Sequence, residues 1–169
     1  FMLLANRKVA EFMGKENIPC VYRVHDEPDS DKLQTFSEFL KKLGYSIQTS
    51  NPKKTATSIN QVLADIHGKK EANMIETLAI RTMAKAYYTT ENIGHYGLAF
   101  THYSHFTSPI RRYPDVLVHR LVQYILDKKY RKLDKSLQKK AEYCSKQEYN
   151  AVKAERESIK FMQIKFMQN

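Results

Sequence analysis

Residues Gly94 to Arg120 read GHYGLAFTHYSHFTSPIRRYPDVLVHR, and aromatic, histidine and arginine side chains are denser here than anywhere else in the chain. The stretch also carries a helix start. Ser108 can cap, Pro109 suits the first helical position, where no N–H is needed, and Val116 to Leu126 supplies an apolar run at helical spacing. With Pro114 near the first turn, Arg111, Asp115 and His119 share one face at i, i+4 and i+8. Arg111 and Arg112 then stand beside a helix N-terminus, whose open N–H groups and dipole favour an anion, a phosphate above all. The same spacing also allows an Arg111–Asp115 ion pair on a solvated helix face, which would add little stability.

Outward from this stretch, composition sets the class. The chain has 169 residues, enough for one domain with a hydrophobic core. Its formal net charge of +10 suits an acidic partner, either nucleic acid or an anionic membrane surface. Charge does not choose between these, and no apolar run is long enough to span a bilayer. Cys20 and Cys144 lie far apart without a CxxC or Cys/His cluster, which favours free thiols in a reducing, cytoplasmic setting. The chain opens at Phe1 inside what already reads as an amphipathic helix, and a segment of a longer polypeptide is expected.

Taken in order, Met2, Leu3, Leu4, Val9 and Phe12 suit a buried helical stripe, with Gly14, Asn17 and Pro19 ending the helix. Cys20 to His25 alternates and is rich in β-branched and aromatic residues, so a short strand is expected. Asp26 to Asp31 is an acidic cluster, but it has neither the central glycine nor the twelfth-position glutamate of a calcium loop. Asp29 or Ser30 instead caps a helix over Lys32 to Leu43, closed by Gly44. Asn51 to Thr57 reads as a polar loop before a helix over Ile59 to Ile66, capped by Thr57 or Ser58 and stopped at Gly68. A further helix spans Glu71 to Ala86 with Met74, Leu78, Ile80 and Met83 inward, and Lys85 to Thr90 turns extended. His102 and His105 form an HxxH without a third ligand at a metal-binding spacing, so they read as packing or phosphate contacts. The helix after Pro109 ends near Lys128-Lys129, and Tyr130 to Lys132 separates it from a long charged helix over Leu133 to Met167.

The segment His95-Tyr-Gly-Leu-Ala-Phe100, with Tyr103 to Arg120 after it, closely resembles the signature of the ribonuclease II/ribonuclease R family, its ribonuclease R branch most of all. Phe1-Met-Leu-Leu-Ala-Asn6 is similar to the family's helix after its catalytic aspartates. Tyr22 to His25 with Asp26 and Pro28 is similar to the next strand and turn, and Ala154-Glu-Arg156 to a late helical motif. The resemblance implies an α+β, helix-rich fold: a mixed α/β RNB-type catalytic domain with short strands and a long C-terminal helix. Residues 1–169 would form its C-terminal part, flanked in the family by OB-fold modules. It also implies processive 3′-to-5′ hydrolysis of single-stranded RNA to nucleoside 5′-monophosphates, assisted by magnesium.

The family's metal-binding aspartates stand in a D-P-x-x-A-x-D-x-D-D-like motif that this sequence does not contain. No metal ligand is therefore expected here; magnesium would be held by aspartates upstream, and this chain alone would be inactive. On the resemblance, Arg111 is the arginine that assists at the scissile phosphate, while Arg112, Tyr113 and Asp115 shape that corner. Thr107 and Ser108 would offer hydroxyls and backbone N–H groups to phosphate. Glu155 would lie near the terminal nucleotide, or else form an ordinary ion pair one turn away. Tyr22 would stack on a base, or else be a core strand tyrosine. The expected partners are single-stranded RNA and the rest of the same polypeptide, its upstream catalytic half and OB-fold modules, with no membrane among them. Apolar residues of Phe1 to Phe12, with Val21 and Val24, would be exposed towards that missing half. A non-catalytic RNA-binding module and a helical interaction domain are the alternatives.

Overall fold

The computed structural model describes residues 1–128 and 136–168. The chain divides into two compact units: one comprises Phe1–Val24, Tyr87–His95 and Phe100–Asn169, the other His25–Ala86 and Tyr96–Ala99. Both segments of the second unit are inserted between segments of the first. The architecture is helix-rich α+β, as expected.

The first unit is built on a two-stranded antiparallel sheet. Strand β1 (Tyr22–Val24) pairs with β2 (Tyr87–Thr89), setting Tyr22 opposite Thr89, Arg23 opposite Tyr88 and Val24 opposite Tyr87. A two-stranded ribbon is not stable alone, and three helices enclose it in one core: α1 (Met2–Lys15), α5 (Tyr113–Leu126) and α6 (Leu137–Met167). Helix α6 also satisfies donors along β2. The Tyr88 N–H donates to Ser145 Oγ at 2.8 Å, and the Thr90 N–H to Gln138 Oε1 at 2.8 Å.

Two expectations fail in this unit. The inward residues of α1 are Asn6, Ala10 and Met13, while Met2, Leu3 and Leu4 are exposed, against the expected buried stripe but in line with the expectation that apolar residues of Phe1 to Phe12 are exposed. The stripe i, i+4, i+7 is present but begins on an asparagine, which an apolar count passes over. Gly14 itself lies in the last turn of α1, where a Cβ would come within 2.7 Å of the His102 ring, and the helix ends at Lys15 just before Asn17, which takes a left-handed φ of 52°, close to the expected end. Val21 and Val24 are buried in the core of their own unit instead of facing outward. Among the described residues of α6, Leu137, Ala141 and Cys144 are buried, and the helix is exposed from Tyr149 onward. The expected helix start at Leu133 and the separator Tyr130 to Lys132 lie outside the described residues, as does Lys129.

The second unit packs helices α2 (Ser30–Lys42), α3 (Pro52–Asp65) and α4 (Ala72–Thr82) around Leu40, Ile59, Ile66 and Ile75. Asp29 caps α2 by accepting from the N–H groups of Asp31 and Lys32 at 3.1 and 3.2 Å, and Gly44 adopts the left-handed φ of 84° that closes it. The acidic cluster is thus a helix cap. Helix α3 begins at Pro52, inside the stretch expected to be a loop. Pro52 fits a first turn, and Thr55 turns inward while its N–H and hydroxyl both donate to the Asn51 carbonyl at 2.8 and 2.9 Å. On α4, Ile75, Ala79 and Thr82 face the core, while Met74 and Ile80 are exposed. Among the described residues no helix is long and apolar enough to cross a membrane.

Candidate functional site

The histidine- and arginine-rich stretch is tied to the first unit residue by residue. The Arg23 N–H donates to the Tyr103 carbonyl at 2.9 Å, and the fully buried Ser104 donates its hydroxyl to the Val21 carbonyl. His105 Nδ1 lies 2.9 Å from the Tyr88 hydroxyl. Burial, helped by the nearby Arg112 and Arg23 charges, holds the His105 pKa down at about 4. Burial also pushes the Tyr88 phenol up to about 12. At neutral pH the phenol therefore donates and the neutral imidazole accepts.

The next two residues are held from α1. Asn6 is 4% exposed; its Oδ1 accepts from the N–H groups of Phe106 at 3.0 Å and Thr107 at 3.1 Å, and its Nδ2 donates to the Tyr103 hydroxyl at 3.2 Å. On the other side, His119 of α5 stacks on Phe106 with ring centroids 4.0 Å apart and planes 7° from parallel. Its Nε2 donates to the Phe106 carbonyl at 2.8 Å.

The chain then makes a turn instead of starting a helix at Pro109. Pro109 occupies the second position of that turn, and the Ser108 carbonyl accepts from the N–H groups of Arg111 at 3.3 Å and Arg112 at 3.1 Å. Arg112 is extended, with φ −129° and ψ 116°, and α5 begins at Tyr113 with Pro114 in its first turn. Ser108 is therefore no cap. Its N–H donates instead to Asp115 Oδ1 at 2.8 Å.

Asp115 is the anchor of this corner. It is 0% exposed, and it accepts two hydrogen bonds from Arg112: Nε to Oδ2 and Nη2 to Oδ1, each at 2.9 Å. Burial by itself would lower the Arg112 pKa, but the Asp115 hydrogen bonds and charge, with Tyr88 and Tyr103, together outweigh it and the net direction is up. The ion pair that the spacing allowed for Arg111 thus belongs to Arg112, at i, i+3. Arg111 is exposed, and among the described residues its guanidinium has no ion-pair or hydrogen-bond partner. No side chain caps α5, and the acidic group in its first turn is Asp115, whose carboxylate is taken by Arg112 and the Ser108 N–H.

The structure brings Thr107, Ser108, Arg111, Arg112 and Tyr113 together on one turn and the helix start after it. The backbone N–H groups of Thr107 and Ser108 are already taken by Asn6 and Asp115, so only their hydroxyls remain for a ligand. Tyr113 is half exposed. Of the two alternatives for Tyr22, the structure shows the core strand tyrosine: it is 6% exposed, its phenol pushed up to about 12 by burial, which leaves it no open face for a base. Glu155 stands apart on the exposed length of α6, roughly 16 Å along the axis beyond Cys144 at about 1.5 Å per residue. Sequence reasoning passed over Asn6, Tyr88, Arg23 and Glu148. Arg23 lies over the Tyr88 ring at 4.6 Å and makes a two-pronged pair with Glu148 that ties β1 to α6. A polar residue inside an apolar helical run was the one available signal for Asn6. Among the described residues no three His, Cys, Asp or Glu side chains could hold a metal ion together, so the residues present do not fit a magnesium site.

Comparison with known proteins follows the same residues. Residues 1–128 match the family model of the RNB domain. Ribonuclease R of Aquifex aeolicus is 40% identical over 170 residues, covering 99% of this chain and 24% of that protein. Ribonuclease R of Escherichia coli is 33% identical over 178 residues, covering 98% and 22%. Mycoplasma genitalium RNase R in complex with ribose methylated single-stranded RNA matches in structure with a TM-score of 0.86, at 30% identity, over 96% of this chain and 26% of that one. Yeast Ssd1, a pseudonuclease, matches with a TM-score of 0.72 at 27% identity, over 85% of this chain and 18% of that one. The chain spans about a quarter of the length of the curated relatives it matches.

Proposed function

The chain belongs to the RNB family, and from that membership we propose that it forms the phosphate-facing part of a 3′-to-5′ exoribonuclease catalytic domain. The parent enzyme would hydrolyse single-stranded RNA processively to nucleoside 5′-monophosphates in the cytoplasm. The observation that carries this reading is the division of labour in the arginine doublet. Arg112 is held by the buried Asp115 carboxylate, while Arg111 is exposed and, among the described residues, unpaired, next to a helix N-terminus with no side-chain cap. An unpaired guanidinium in that position can hold two phosphate oxygens at once and stabilise charge as it develops at the scissile phosphate. The Thr107 and Ser108 hydroxyls, Arg112 and Tyr113 would line the same corner, and Glu155 would approach the terminal nucleotide. Magnesium, in this reading, is held by aspartates of the parent polypeptide outside these residues, together with its OB-fold modules.

Arg111→Ala in the parent enzyme should then lower single-turnover cleavage by about 10²–10³, the loss expected for one transition-state donor. RNA affinity at fixed salt should fall much less, because other phosphate contacts remain. Arg111→Lys keeps the charge without the planar fork and should recover only part of the rate. The isolated chain should release no monophosphates from end-labelled poly(A). Unchanged turnover, or equal losses in rate and affinity, would overturn the assignment. A non-catalytic RNA-binding module is the second reading, favoured by the likeness to a pseudonuclease. It requires steeply salt-dependent RNA binding by a parent protein that cleaves nothing.

A further inference from the structure

Asn6 is out of place by every local rule. Asparagine is a poor helix former, yet it sits within α1, and at 4% exposure it is a buried polar group on the face that Ala10 and Met13 give to the core. A leucine or alanine would suit that helix face better. What Asn6 supplies instead is one acceptor oxygen for two successive backbone donors a hundred residues away, those of Phe106 and Thr107. Its amide nitrogen is occupied in turn by the Tyr103 hydroxyl. All three bonds converge on the segment that runs directly into the Ser108–Arg111 turn.

We infer that Asn6 is a positioning residue for Arg111: the α1 carboxamide fixes the Phe106–Thr107 backbone, and through it the turn that presents the guanidinium. This inference rests on the proposed role of Arg111. The segment has few other restraints. His119 holds Phe106 from the α5 side, and Asp115 holds the Ser108 N–H. Between those two anchors, the orientation of Thr107 depends on Asn6. Losing it frees two amides that must find new partners, and the turn shifts as they do. A displacement of about 1 Å at a reacting group can cost about 10²-fold in rate.

The test uses the full-length parent enzyme with Asn6→Ala, Asn6→Asp, Arg111→Ala and the Asn6→Ala/Arg111→Ala double variant. Single-turnover cleavage at saturating RNA, RNA Kd at one salt concentration and Tm are measured on each. Asn6→Ala should lower the rate roughly 10- to 100-fold with Kd changed less than about threefold. Asn6→Asp keeps an oxygen facing both amides, and the Tyr103 hydroxyl can rotate to donate, so most of the rate should return. In the double variant the losses should fall well short of multiplying, because Asn6 acts through Arg111. If Asn6→Ala does not fold, Asn6→Ser carries the test: its shorter side chain cannot reach both amides, so the rate should fall roughly 10-fold with Kd little changed, and a normal rate would overturn the inference. A folded Asn6→Ala with normal single-turnover rate, an Asn6→Asp as slow as Asn6→Ala, or fully multiplicative losses would overturn the inference. If Arg111→Ala itself leaves the rate intact, the proposed function fails first, and that outcome is read separately.

Discussion

Replacing Arg112 by alanine should damage stability, while the same change at its neighbour Arg111 should not. The asymmetry follows from Asp115. That carboxylate is 0% exposed; of its three hydrogen bonds, two come from Arg112 and one from the Ser108 N–H. Removing the guanidinium leaves a buried anion with a single neutral donor. Breaking a buried pair from one side costs about 3–5 kcal/mol. The Arg112 side chain is 21% exposed, so water can enter the space it vacates, which argues for the low end, near about 3 kcal/mol. For a chain of this size that corresponds to a Tm lower by roughly 6–12 °C. Arg111, exposed and without a partner among the described residues, should cost less than about 0.5 kcal/mol on truncation. Arg112→Lys keeps a charge but only one prong of the fork and should fall between. Thermal unfolding followed by far-ultraviolet circular dichroism compares the three variants. A Tm for Arg112→Ala within about a degree of wild type, or a larger loss for Arg111→Ala, would refute the assignment of Asp115 to Arg112.

Two more outcomes follow from buried groups. His105 titrates near pH 4 in the folded chain against 6.5 when exposed, so between those values the unfolded chain binds the extra proton. Stability should therefore fall as pH drops from about 6.5 towards about 4, and His105→Gln should flatten that slope in urea unfolding at stepped pH; an unchanged slope would mean that His105 is not the titrating group. The Cys20 thiol, fully buried and pushed up to about 12, should resist thiol reagents in native buffer and react only on unfolding; rapid native labelling at Cys20 would contradict the burial.

Much of this protein was legible along the chain. Local rules operate within a few residues, so the Asp29 cap, the Gly44 stop and the short strands at Tyr22 and Tyr87 could be read from sequence. The motif from Gly94 to Arg120 pointed to the RNB family because its order of residue types is itself the signal. What the order could not convey was partnership. Arg111 and Arg112 are adjacent, and both lie within helical reach of Asp115 on paper. The Pro109 turn delays the helix to Tyr113, and only that geometry gives Asp115 to Arg112. Tyr22 and Val21 look the same as edge or core residues until α1 and α6 cover them. Asn6 reads as a flaw in an apolar stripe until Phe106 and Thr107 arrive with two unsatisfied amides. Sequence carried the local conformations and the family. Tertiary structure decided which polar groups satisfy one another, because a buried hydrogen bond is paid back only by a partner brought in from far along the chain.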